Sequence, residues 1–140
     1  MSNKKVAIIN FKNSNIKSIF SATKKIGLEP ELVQEKNSLK NYNKMILPGV
    51  GTFGSAVDFL KRKELIQDIK KFIKSEKKVL AICLGMQILL EKGSEFGSHK
   101  GLSIIEGDVV PFPKNQVHLG WNRLIFRNKS IKQNFSFGYF

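Results

Sequence analysis

The stretch that most constrains this chain runs from Val79 to Glu91, VLAICLGMQILLE. The apolar run Val79 to Ile82 predicts a fully buried strand, and an apolar, helix-favouring run starts at Leu84. Between them stands Cys83, the sole cysteine of the chain. Small residues two positions to either side, Ala81 and Gly85, suit a turn so sharp that larger side chains would clash. The pattern predicts a strand-to-helix elbow with a thiol at its apex. A thiol there faces unpaired backbone N–H groups and the positive end of a helix dipole, both of which favour thiolate. The Leu84 amide points where an oxyanion would form. The plainer alternative is that a lone cysteine in an apolar run is a small buried hydrophobe.

The rest of the chain reads as alternating strands and helices, which points to a parallel α/β sheet. Lys4 to Asn10 predicts a first strand, and its continuous apolar core, VAII, suits a sheet covered on both faces. Ile16, Ile19, Phe20, Thr23 and Ile26 recur at helical spacing, with Gly27 as the stop. Glu31 to Gln34 is a weaker strand and Lys44 to Leu47 a strong short one. Ser55 and Asp58 fit a capping box. Ala56, Phe59, Leu60, Leu65, Ile69, Phe72 and Ile73 then form an apolar stripe, broken near Lys63. Lys92 to Lys100 reads as a loop, Gly101 to Phe112 as two short strands (LSII and DVVPF) around Gly107, and Arg123 to Phe126 and Phe135 to Phe140 as further strands.

Gly49, Gly51 and Gly54 of PGVGTFG satisfy G-x-G-x-x-G, but after a later strand of the unit and with no acidic residue at a following strand end, as dinucleotide binding requires. Glycines here can let backbone amides approach a ligand or a neighbouring loop, or form a turn without a ligand. His99 lies on a loop, where it is either exposed or within reach of Cys83. Trp121 suits an interface or a core equally.

Composition narrows the classes. One cysteine excludes an internal disulfide, and no apolar stretch approaches a membrane span or a secretory signal, so the expectation is a cytoplasmic protein. A formal net charge of +13 invites a nucleic-acid reading. Against it, only Arg62, Arg123 and Arg127 of the 24 basic residues are arginine, and the lysines are spread in ones and twos. No specific nucleic-acid partner, membrane, metal or cofactor is expected.

AICLGMQ resembles the G-x-C-x-G-x-Q signature of the class I glutamine amidotransferases, with Ala81 where glycine is usual. PGVGTFG, EFGSHKGLSIIEGDVVPFP and VHLGWN resemble, more narrowly, the glutaminase subunits of imidazole glycerol phosphate synthases, of histidine biosynthesis. The resemblance covers nearly all 140 residues. It implies a flavodoxin-like, mainly parallel sheet with helices on both faces, in a single domain over residues 1–140. It also implies Cys83 as nucleophile, with Leu84, Val50 and Gly51 as oxyanion-hole amides and Gly49, Gly85 and Gln87 as glutamine contacts. Asn15, His118, Trp121 and Asn122 fall at the interface with a cyclase subunit, as a heterodimer. The implied function is hydrolysis of glutamine to glutamate and ammonia for that cyclase.

Two departures stand out. NFKNSN replaces the family's D-Y-G-x-G-N after strand one, keeping only Asn15. The family's F-H-P-E segment, source of its catalytic histidine and glutamate, is absent from these 140 residues, and FSFGYF stands where the family has Y-F-V-H-S-Y. The sequence-based expectation is therefore a domain truncated at its C-terminus and inactive as it stands. A degenerate partner-binding module without catalysis, or a glutaminase for a surface-sugar amidating system, are the alternatives.

Overall fold

The computed structural model describes residues 4–11, 15–113, 119–123, 125 and 137–139. Its residues fall into two compact units, Met1–Val110 and Pro111–Phe140. In the first, β1 (Lys5–Ile9), α1 (Ile16–Lys25), β2 (Glu29–Val33), β3 (Lys44–Leu47), α2 (Phe53–Arg62), α3 (Ile66–Lys74) and β4 (Lys78–Ala81) follow one another. α4 (Leu84–Gln87), β5 (Lys92–Gly93), β6 (His99–Lys100) and β7 (Asp108–Val109) complete it. β1 to β4 form one parallel sheet in the order β2-β1-β3-β4. That is the order of a flavodoxin-like doubly wound sheet, whose ligands bind outside the carboxyl ends of the strands.

Both faces of β1 are buried because helices cover each side. Ala7 and Ile9 pack with Met45, Leu47, Phe53, Leu60, Ile69 and Phe72 under α2 and α3. Val6, Ile8 and Ile46 pack under Ile16, Ile19 and Phe20 of α1. The helical stripe read from the sequence is the stripe that packs, and the chain does break after Arg62, resuming at Ile66. At the amino-terminal edge, Tyr42 donates to Glu31, which also pairs with Lys5 at 2.7 Å. Burial and that carboxylate push the Tyr42 hydroxyl up to about 12.

Four sequence expectations are corrected here. The first turn of α2 is capped by Thr52, whose hydroxyl accepts from the Ser55 N–H at 3.4 Å, so the Ser55/Asp58 capping box does not form. Asp58 pairs with Lys61 instead, at 3.7 Å. β4 is not fully buried, since Leu80 is 56% exposed. The reason is position, because among the described residues β4 pairs with β3 alone and is an edge. LSII is not a strand, because the amides of Leu102, Ser103, Ile104 and Ile105 donate to carbonyls of Ile88, Leu89 and Leu90. The Lys92–Lys100 loop instead carries an antiparallel pairing, Lys92 with Lys100 and Gly93 with His99.

The second unit holds β8 (Trp121–Arg123) and β9 (Phe137–Tyr139), paired antiparallel with Trp121 opposite Tyr139. Of the expected Arg123–Phe126 strand only Arg123 lies in β8, which begins two residues earlier, and Ile125 is in no strand; residues 124, 126, 135, 136 and 140 lie outside the described residues.

Candidate active site

The elbow is formed by the hydrogen bonds around Cys83. The Ile82 N–H donates to the Leu47 carbonyl at 3.0 Å, carrying the β3–β4 ladder one residue past the strand. Cys83 then takes φ 52 and ψ −121, a left-handed conformation that only glycine adopts without strain. The chain reverses at once. Gly85 N–H returns to the Ile82 carbonyl at 2.9 Å, and Met86 and Gln87 N–H return to the Cys83 carbonyl at 2.9 and 3.1 Å. The thiol is left exposed, which rejects the buried-hydrophobe reading.

α4 is a single turn. Four residues align few peptide dipoles, so the macrodipole expected from the sequence reduces to the local N–H groups at the turn. Among the described residues the Leu84 N–H donates to no acceptor, which keeps it available beside the thiol.

The PGVG loop lies against this turn, backbone on backbone. A Cβ on Gly85 would sit 2.0 Å from the Leu47 carbonyl oxygen, and one on Gly49 would sit 2.5 Å from the Gly85 nitrogen. Neither position accepts a larger residue, and the sequence expectation of a small residue at 85 has this contact as its cause. Gly51 follows with φ 107. Val50, between the two glycines, is partly exposed.

Cys83, Gly49 and Val50 share a pocket of about 250 Å³ with Asn15 and Ser18, at the start of α1; Ile19, Pro48 and Ile82 supply its apolar walls. Ser18 donates its hydroxyl to the Asn15 side-chain oxygen at 3.0 Å. The pocket opens at the carboxyl ends of β3 and β4, where a sheet of this order binds ligands. A larger apolar groove of about 430 Å³ lies between α1 and β3–β4, along Ile26, Leu28 and Leu80. Its lining is mainly aliphatic, with Thr23, Lys44 and Lys78, and the thiol lies in the smaller pocket.

Of the residues singled out in the sequence, Cys83, Leu84, Gly49, Val50, Gly85 and Asn15 are thus brought together. Gln87 ends α4 half-buried and Gly51 follows Val50 on the loop. His99 is not in the pocket. Its ring packs on Gly54, where a Cβ would meet Cε1 at 2.6 Å. His118 lies outside the described residues. Trp121 is 73% exposed, and Asn122 donates its side-chain amide to the Gly120 carbonyl at 3.1 Å. Sequence reasoning missed Ser18 and Glu95. Ser18 carries a readable signal, sitting one helical turn after Asn15. Glu95, whose carboxylate accepts the Phe53 N–H at 2.8 Å, sits in a loop that periodicity does not address. Among the described residues no group of three His, Cys, Asp or Glu side chains could hold a metal ion, and no helix is long and apolar enough to cross a membrane.

Residues 7–137 match the family described as glutamine amidotransferase class-I. The chain is also similar to proteins named imidazole glycerol phosphate synthase subunit HisH. It is 39% identical over 132 residues to that of Wolinella succinogenes, covering 89% of this chain and 64% of the relative. It is 41% identical over 133 residues to that of Sulfurimonas denitrificans (90% and 64%) and 41% over 140 to that of Helicobacter hepaticus (90% and 64%). The chain therefore spans a little under two thirds of the length of these curated relatives.

Proposed function

This chain belongs to the class I glutamine amidotransferase family, and from that premise we propose that it is a glutaminase, the part of an imidazole glycerol phosphate synthase that releases ammonia for a cyclase partner. The observation that carries the reading is the strained, exposed Cys83 sharing one pocket with the glycine loop at Gly49 and Val50. The names of the relatives support the choice of synthase. The working form is a cytoplasmic heterodimer, with Asn15, His118, Trp121 and Asn122 toward the cyclase.

In the proposed reaction the Cys83 sulfur attacks the side-chain carboxamide carbon of glutamine. A C–S bond forms and the carbonyl π pair moves to oxygen, where the amides of Leu84 and of Val50 or Gly51 receive it. Collapse of the tetrahedral species breaks the C–N bond, and the nitrogen leaves as ammonia once an acid protonates it. Water then attacks the thioester, releasing glutamate and the Cys83 thiolate. Gly49, Gly85 and Gln87 are the proposed contacts to glutamine, from the resemblance of their motifs to the family's.

Two steps need a proton donor and acceptor. The histidines of residues 1–140 are His99 and His118, and His99 is packed on Gly54 away from the pocket. The family's F-H-P-E segment is the expected source of this acid and base. Because His99 and His118 both match other positions of the family, a polypeptide of these 140 residues is expected to hold the nucleophile and oxyanion amides without steady turnover. General acid–base catalysis contributes about 10²–10⁴-fold in rate.

The test is ammonia release from glutamine by the 140-residue chain alone, and with an F-H-P-E-bearing segment from a complete relative supplied as a fusion, each with the cyclase. Turnover only with the added segment, abolished by Cys83→Ala, is the expected result. Steady Cys83-dependent turnover by the chain alone would overturn the acid assignment. No turnover in any combination would overturn the glutaminase reading.

A further inference from the structure

The face of the sheet beside α1 is left open at β4. Ile46 packs under α1 and has Leu80 as its register partner, so Leu80, and with it Lys78 and Ile82, lies on the α1 side of β4. There the helix no longer covers the sheet. Leu80 is 56% and Ile82 38% exposed, and both lie in the groove of about 430 Å³ that α1 walls with Ile19, Ala22 and Ile26. The backbone edge is open as well. The N–H groups of Lys78 and Ile82 donate toward β3, to the Asn43 and Leu47 carbonyls at 3.1 and 3.0 Å, so by alternation the amides and carbonyls of Val79 and Ala81 face outward.

The two edges of the sheet are built differently. β2, EPELV, carries Pro30 and two glutamates, features that blunt an edge. β4, KVLA, has only Lys78 at its start. Among the described residues the order 2-1-3-4 also stops one strand before the flavodoxin-like pattern 2-1-3-4-5 is complete. A second copy does not fill that place, because antiparallel pairing of β4 with its own copy would set two apolar floors side by side and cover neither. One polypeptide that brings a strand and a helix covers both the edge and the floor. Lys44 and Lys78, register partners in the first positions of their strands, give that helix a direction. A helix that runs antiparallel to the strands, as a crossover helix does, ends over these two ammonium groups, which favour its last carbonyls and the negative end of its dipole.

We propose that the β4 edge and the groove beside α1 form a docking surface for a separate polypeptide, the F-H-P-E-bearing segment of a complete relative. The segment adds a strand along Val79–Ala81 and lays an amphipathic helix over Leu80 and Ile82, its C-terminal end at Lys44 and Lys78. The match covers 64% of each relative, which leaves about a third of the relative's length to supply such a piece. The identity of the partner rests on the glutaminase reading. The docking itself needs no covalent link between the two polypeptides.

The test mixes the 140-residue chain with that segment of the Sulfurimonas denitrificans relative, produced as a separate polypeptide, and follows gel filtration and amide hydrogen exchange. An equimolar complex is expected, in which the Val79 and Ala81 amides exchange at least about tenfold more slowly and those of β2 are unchanged. Leu80→Lys puts a charge on the groove floor and is expected to weaken binding about thirtyfold or more. Lys78→Glu is expected to weaken it about tenfold at low salt, and high salt should remove most of that difference.

No complex at tens of micromolar would overturn the proposal. So would protection at β2 in place of β4, or a complex indifferent to both substitutions. A complex with the expected protection that releases no ammonia from glutamine in the presence of the cyclase would overturn the glutaminase reading and leave the docking surface standing. Ammonia release without protection at Val79 and Ala81 would do the reverse.

Discussion

Cys83 combines a reactive group with a backbone geometry that costs about 1–3 kcal/mol for a residue bearing a Cβ. Its φ of 52 is held by the return of three amides to Ile82 and Cys83 carbonyls and by the contact of Gly85 with Leu47. The strain is relieved if the Cβ is removed. Cys83→Gly is accordingly expected to unfold at higher denaturant than Cys83→Ala, by about 1 kcal/mol, although both lose the nucleophile. Equal midpoints would mean that the elbow is unstrained in solution. Cys83→Ser should leave the fold intact.

At the scale of elements, β4 carries the nucleophile on an edge. Leu80 stands out from it, 56% exposed, beside an apolar groove that Ile26 also borders. Leu80→Lys is expected to change stability by no more than about 0.5 kcal/mol and to lower aggregation seen by light scattering, since a charge blunts an apolar edge. A loss of several kcal/mol, of the size expected for a core leucine, would show that this face is covered in solution. The sequence made β4 legible as a strand because VLAI is continuously apolar, and it made the parallel sheet legible because strands and helices alternate. Its exposure was not legible, because an apolar run does not say whether a neighbour arrives. The Lys92–Lys100 hairpin was missed for a related reason. Two-residue strands carry no periodicity, and the pairing of Gly93 with His99 follows from packing against Phe53 and Gly54. The cap of α2 went to Thr52 and not to Ser55 because the loop leaves its extended conformation three residues earlier than the apolar stripe suggests.

Over the whole chain, the nucleophile, the glycine loop and Asn15 were legible as motifs and meet in one pocket. Motifs carry such information because each encodes a local turn, and the order of strands in the sheet then places the turns at one edge. Glu95 became visible only through a tertiary contact, whereas Ser18 follows Asn15 by one helical turn and bonds to it locally. The net charge of +13 played no part in the site: the pocket is lined by neutral groups, and described ion pairs such as Lys5–Glu31, Lys36–Glu64 and Lys92–Asp108 lie on partly exposed surface. The proposed function requires Cys83 to be an activated nucleophile in a pocket that takes glutamine. As the sole cysteine, it can be followed by intact mass without ambiguity. The direct measurement is the rate of its carboxamidomethylation by iodoacetamide at neutral pH, in folded chain and in denaturant, with and without glutamine. A folded rate above the denatured one, slowed by glutamine but not by asparagine, is the predicted result. A folded rate at or below the denatured control, indifferent to glutamine, would contradict it.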